Sequence, residues 1–307
     1  MTHTYRLFGL QVLSAIELPE LARHEPTGGA DVTIRLAEVE DVAESEGLKV
    51  AGDELLFAVD GIARYRIGGG REIVVDPAPG VPVRNIRLFL LGSAFGALLH
   101  QRGILPLHAN AIDLGGNAVA FMGMSGSGKS TLAAWFHDIG YPILTDDVCA
   151  VSFGANERPY VAPGLPRLRL WREAVEATHR DPACYQRSYT SDAPHEKFDI
   201  PLARIAEAEV PLAIVYVLQQ GDTLDIAELT GVEAAQALFE NTYRGGFLRS
   251  TGTADKHWFS IVQLLRCVRV FNFVRPWSLN HLDDDSEMIL SHAGTVGLVS
   301  SCQQPCA

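Results

Sequence analysis

Between Gly123 and Ser130 the chain reads Gly-Met-Ser-Gly-Ser-Gly-Lys-Ser. An apolar run, Ala118 to Met122, leads into this segment, and helix-forming residues follow from Thr131. A buried strand, a glycine-rich turn and a helix start in that order make a P-loop. Gly123, Gly126 and Gly128, with Ser125 and Ser127 between them, let backbone N–H groups turn inward around an anion. The helix start at Lys129, Ser130 and Thr131 adds unpaired N–H groups and the positive end of a dipole. Lys129 supplies a mobile cation for the outer phosphates of a nucleotide, and Ser130 a hydroxyl for Mg2+.

A second chemical group follows within one helix length. Asp146 and Asp147 interrupt the apolar run Pro-Ile-Leu-Thr-Asp-Asp-Val-Cys-Ala-Val. Carboxylates in such a run are costly unless they bind something. At a strand end beside a P-loop they serve Mg2+ or take part in the transfer, the alternative being turn or helix caps. Phosphoryl transfer also calls for a second cation on the γ-phosphate. Arg169, Lys197, Arg244 and Arg249 are the candidates, and Lys197, beyond a polar stretch and before the apolar Phe-Asp-Ile-Pro-Leu, is the first choice. Taken alone, His108 reads as a core histidine, and Asp283, Asp284 and Asp285 as the acids a helix start favours.

The elements that position these residues form two blocks. Residues 1–83 carry short alternating or β-branched runs separated by Gly, Asp and Pro, with Gly68–Gly70 at a hairpin turn, and read as a small β-rich N-terminal domain. Residues 84–102 shift to helical spacing, with Leu88, Leu91, Phe95, Leu98 and Leu99 on one face. Arg84 and Arg87 on that helix read as solvated charges or as contacts to a phosphate or partner. From 84 to 300 the pattern is α/β: strands around 104–122, 143–153 and 210–218, helices over 129–139, 231–250 and 255–267, a last strand in Cys-Val-Arg-Val-Phe-Asn-Phe-Val, and a closing helix. The polar stretch 178–197 is long enough to be a lid. Residues 301–307 read as a frayed tail.

The 307 residues are 47% hydrophobic and 20% charged, enough to bury a sizeable core. A net charge of −12 argues against nucleic acid and against an anionic membrane surface as partners. No run is long and apolar enough to span a bilayer and the first residues lack a signal-peptide pattern, so a cytoplasmic location is expected. The five cysteines fit no zinc ligand set and read as free thiols.

Lys129 and Asp146 lie only seventeen residues apart. A histidine before the loop, the loop itself and an Asp-Asp pair after the next strand resemble the catalytic domain of the HPr serine kinase family, whose core is shared with phosphoenolpyruvate carboxykinases. The matching residues are His108 in Leu-His-Ala-Asn-Ala-Ile-Asp-Leu, Gly123 to Ser130, and Asp146-Asp147. The resemblance implies an α/β P-loop kinase core of the HPr kinase/phosphoenolpyruvate carboxykinase type that uses ATP and Mg2+. It implies that Lys129 and the loop amides hold the β- and γ-phosphates, that Ser130 and Asp147 hold Mg2+, that Asp146 takes the proton of an attacking serine, and that His108 tunes the reacting charges. The metal-binding glutamate signature of the bifunctional HPr enzymes is missing, and Ala162 to Trp171 stands in its place. The start Tyr-x-x-Phe-Gly-Leu, the Leu-Pro-x-Leu segment and the Leu-Arg-Leu-Trp stretch are similar to a divergent branch whose members include lasso-peptide-tailoring kinases. The expected acceptor is therefore a serine in a peptide or protein, with HPr and phosphorylase activity disfavoured. An ATPase switch and a kinase for a small alcohol stay open as alternatives, and a homo-oligomer is compatible with the sequence. Residues 1–83 are expected to recruit substrate.

Overall fold

The computed structural model describes residues 2–25, 28–39, 48–190 and 196–297. Cys302, Cys306 and the tail, the middle of the expected lid, and the side chain of Arg249 lie outside the described residues.

The N-terminal block forms one seven-stranded sheet. Its strands are β1 (His3–Leu7), β2 (Leu10–Ser14), β3 (Val32–Leu36), β4 (Leu48–Ala51), β5 (Glu54–Val59), β6 (Ala63–Gly68) and β7 (Glu72–Pro77), in the spatial order β1-β2-β3-β7-β6-β5-β4. Side chains alternate inward and outward along β2 and β6, as a sheet with one packed face requires. What covers that face is a helical segment made of α1 (Val83–Phe89), a π-helical turn over Leu90–Ala94, and α2 (Phe95–Gln101). Ile86, Leu90, Leu91, Phe95 and Leu98 enter the same apolar cluster as Tyr65, Ile67 and Val75. Val148, Ala150 and Tyr243 join it from later in the chain. The boundary expected at residue 83 thus marks the head of a helix whose apolar face belongs to the first sheet's core. Gly96 permits a close approach: a Cβ there would come 2.9 Å from the Tyr243 ring. Arg84 pairs with Asp199 and Arg87 with Glu20, so neither is a free solvated charge.

The second block is an α/β sandwich. It runs through β8 (Leu105–Leu107), β9 (Ala109–Asp113), β10 (Ala118–Met122), α3 (Lys129–Asp138), β11 (Ile143–Thr145), β12 (Cys149–Phe153), β13 (Pro159–Val161), β14 (Arg167–Trp171), α4 (Arg172–Ala177), β15 (Gln186–Arg187) and β16 (Lys197–Pro201). It continues with β17 (Val210–Gln220), β18 (Asp225–Leu229), α5 (Gly231–Glu240), α6 (Gly246–Thr251), α7 (Ala254–Leu264), β19 (Arg269–Arg275) and α8 (Leu282–Thr295). β10 lies between antiparallel β9 and parallel β17, and β17 is followed by parallel β19. All five residues of β10 are buried, as a central strand covered on both faces demands. α3 and α8 pack on one face around Phe121, Phe136, Tyr216 and Ile289, and α5 and α7 on the other around Ala120, Val215, Leu238 and Ile261. β14, β16 and β15 form a separate small sheet beside the end of β11.

The helix expected over 231–250 is broken. Residues 241–245 leave it, with Arg244 at φ +52°, before α6 resumes the helical path. That break carries side chains into the site. No helix among the described residues is long and apolar enough to cross a membrane.

Candidate active site

β10 aims the P-loop out of the sheet, and three side chains from distant segments hold it. Asn241, in the broken helix, accepts a bond from the Gly123 N–H at 3.0 Å, while its own carbonyl accepts from the His108 N–H at 2.7 Å. Arg275, at the end of β19, donates to the Ser127 carbonyl at 3.0 Å and pairs with Asp285 of α8. Arg275 and Asp285 are 3% and 0% exposed, so this ion pair is part of the interior. Gly128 sits against the same guanidinium: at φ +84° a Cβ would stand 2.4 Å from Arg275 Nη2. Asp285, one of the three acids expected at a helix start, does lie in the first turn of α8, and there it is buried and braces the loop through Arg275. Ser127 also turns inward. Its N–H bonds Met124 O at 3.1 Å, so it stabilises the loop instead of lining the groove.

Lys129 folds back over the loop, donating to Gly123 O at 2.6 Å and Met124 O at 3.0 Å. Burial pulls its pKa down to about 8, with Lys197 adding to the shift and Asp147 and Asp146 opposing it. Beside it lies a groove of about 100 Å3 lined by Asn110, Gly126, Ser130, Thr131 and Lys197, among others. Lys197 enters from β16, opposite Trp171 of β14, with its Nζ 5.7 Å from the indole centroid. Burial and then the neighbouring Arg169 lower its pKa.

The two aspartates bond to different groups. A tight turn makes this so: Thr145 Oγ1 donates to Val148 O at 2.6 Å, and Asp147 takes φ +73°. Asp146 Oδ1 accepts from Ser130 Oγ at 2.9 Å and from Asn110 Nδ2 at 2.6 Å, and Oδ2 accepts from the Arg169 N–H at 2.8 Å. Burial, and then the charge of Asp147, raise its pKa. Asp147 instead pairs with the Arg169 guanidinium and lies 3.4 Å from His108 Nδ1. Burial pushes Asp147 up, but Arg169, His108, Lys197 and Lys129 together hold it below the ordinary carboxylate range. Burial lowers the His108 pKa, with Asp147 opposing the shift. The resemblance implies Ser130 and Asp147 as a pair of Mg2+ ligands; here the Ser130 hydroxyl bonds Asp146, and Asp147 lies against His108 and Arg169.

Asp147, His108 and Arg169 border both the groove beside Lys129 and a larger cavity of about 970 Å3. Its walls come from the helical segment of the first block, the P-loop start, the end of β17 and residues 240–244. Tyr243 is central: its ring lies 5.9 Å from that of His108 and carries the Arg244 guanidinium at 5.7 Å. Of the four candidate cations, Arg169 and Lys197 line the groove beside Lys129, and Arg169 and Arg244 line the larger cavity.

Asn110, Asn241, Tyr243 and the Arg275–Asp285 pair were not singled out as site residues. Asn110 left a trace, an amide in an otherwise apolar strand. Arg275 left another, a cation closing the run Val-Phe-Asn-Phe-Val.

No family model and no curated protein matches the chain. A solved structure described as the HPr(Ser) kinase/phosphatase from Coxiella burnetii aligns over 62% of this chain and 99% of its own, at 12% identity and a TM-score of 0.32. At that level of similarity the functional reading rests on the geometry above.

Proposed function

We propose that the chain is an ATP- and Mg2+-dependent kinase that transfers the γ-phosphoryl group to a serine hydroxyl of a peptide or protein. The observation that carries this reading is the pair of adjacent carboxylates with different partners, one on the P-loop hydroxyl and one beside His108 and Arg169, bordering both the groove and the large cavity. Ser130 and Asp146 offer hard oxygens suited to Mg2+, which uses few protein ligands beside phosphates and water. The Asn110 Oδ1, buried beside them without a hydrogen-bond partner, adds an unsatisfied acceptor to the same spot. Mg2+ bound there would neutralise charge on the β- and γ-phosphates.

The loop amides and Lys129 hold the outer phosphates, and Lys197 reaches the γ-phosphate from the opposite wall. The serine oxygen approaches from the large cavity, forms the new P–O bond and displaces ADP by breaking the β–γ bridge. Its proton passes to Asp147. A carboxylate with a low pKa is a weak base, but in a loose phosphoryl transfer the proton moves late and orientation matters more than basicity. His108 and Arg169 fix that orientation. The size of the cavity and its wall from the N-terminal block favour a peptide or protein over a small alcohol. The finer choice, a lasso precursor peptide handled in the cytoplasm, rests on the sequence resemblance.

The test is incubation with γ-labelled ATP, Mg2+ and serine-containing peptides. Labelled phosphoserine supports the reading. ADP release with no labelled acceptor would favour an ATPase switch.

A further inference from the structure

The kinase reading leaves the nucleoside unplaced, and two half-exposed tryptophans flank the P-loop. Trp171 borders the phosphate groove and Trp277 borders the larger cavity. They are 47% and 42% exposed, unusual for side chains of such apolar area. Lys197 already sits over the face of Trp171. Trp277 has no ring or cation partner among the described residues. It follows Arg275 by two positions, and Arg275 is bonded to the Ser127 carbonyl, so the indole is tied to the loop through a short buried link.

The same cavity wall carries Met124, 78% exposed on the loop itself, and Gln219 and Gln220 at the end of β17. Gln219 Oε1 accepts from Asn272 at 3.0 Å, which leaves its NH2 group as a donor. An aromatic face, a flexible apolar neighbour and two amides are what a flat heteroaromatic ring with polar edges requires. A volume of about 970 Å3 is at the upper end for small-molecule pockets and far beyond the needs of one serine side chain.

We propose that the purine base of the nucleotide stacks on Trp277, with the Gln219 and Gln220 amides reading its polar edge. This inference rests on the kinase reading and assigns the nucleoside end of the same site. The base lies at the β17–β19 end of the cavity, and the acceptor enters at the Asp147 end.

Binding of ATP, ADP and inorganic tripolyphosphate, each with Mg2+, tests it by calorimetry and by tryptophan emission. Trp277→Ala should weaken ATP and ADP at least about tenfold, the scale of one base–aromatic stack. Tripolyphosphate, which has no base, should bind wild type and variant alike. Trp277→Phe should keep most of the affinity yet lose the part of the emission change that ATP produces and tripolyphosphate does not. Unchanged ATP affinity in Trp277→Ala, or a base-dependent emission change that survives in Trp277→Phe, would overturn the assignment. If neither ATP nor tripolyphosphate bound the wild type, the kinase reading itself would fall, a result distinct from either.

Discussion

Ser130 Oγ lies 2.9 Å from Asp146 Oδ1, while the carboxylate of Asp147, the next residue, lies against His108 and Arg169. In the proposed reaction Asp146 serves the metal, and Asp147, which borders both the groove beside Lys129 and the large cavity, serves the acceptor.

Asp146→Asn should therefore act through Mg2+. The Mg2+ concentration giving half-maximal rate should rise about tenfold or more, with part of the rate restored at saturating Mg2+, since a hard cation loses a charged ligand. A rate loss independent of Mg2+ concentration would argue against this role.

Lys129 sets a pH dependence for nucleotide binding. Its pKa is near 8 in the free protein, against 10.5 for an ordinary lysine. Below about pH 8 it is charged and ready for phosphate. Above that value the free protein holds it neutral, while bound phosphates favour the cation, so binding takes up a proton. ATP affinity should fall by up to about tenfold per pH unit above 8. Calorimetry at pH 8.5 in buffers of different ionisation enthalpy should register the uptake. Buffer-independent enthalpies together with an affinity flat from pH 7 to 9.5 would contradict it.

The Arg275–Asp285 pair links loop geometry to stability. Removing one partner leaves an uncompensated buried charge, at a cost of about 3–5 kcal/mol. Asp285→Asn and Arg275→Met should each lower the melting temperature by several degrees. Replacing both with apolar residues should cost less than the two single losses combined. Because Arg275 also holds the Ser127 carbonyl, the double variant should still bind ATP more weakly than wild type. Denaturation midpoints and ATP titrations on all three variants check both parts. Additive single losses, or full ATP affinity in the double variant, would count against the brace.

The local framework was legible in the sequence. The glycine-rich loop, the acid pair one helix later and the strand–turn–helix setting are encoded within about thirty residues, and Lys197, a candidate by charge and position, lies in the groove beside Lys129. What escaped depends on distant segments meeting. Asn241 reaches Gly123 only because the chain leaves α5 at residue 241, although the pattern there reads as continuous helix. Arg275 and Asp285 are ten residues apart, and their meeting beneath the loop depends on how α8 packs. That the two acids bond to different groups was not legible, because adjacent residues in a strand-like run give no sign of a turn that puts Asp147 at φ +73°. The helical segment after residue 83 was found by its period, but periodicity does not say which sheet an apolar face will cover.

The most direct measurement is single-turnover transfer from γ-labelled ATP to a serine peptide found to be an acceptor, comparing wild type with Asp147→Asn at saturating Mg2+. The wild type should yield phosphoserine. Asp147→Asn should bind ATP within a few-fold of wild type and lose transfer by about a hundredfold or more, the scale of general-base catalysis. Transfer by Asp147→Asn at the wild-type rate would contradict the assignment of Asp147 as the group that receives the serine proton.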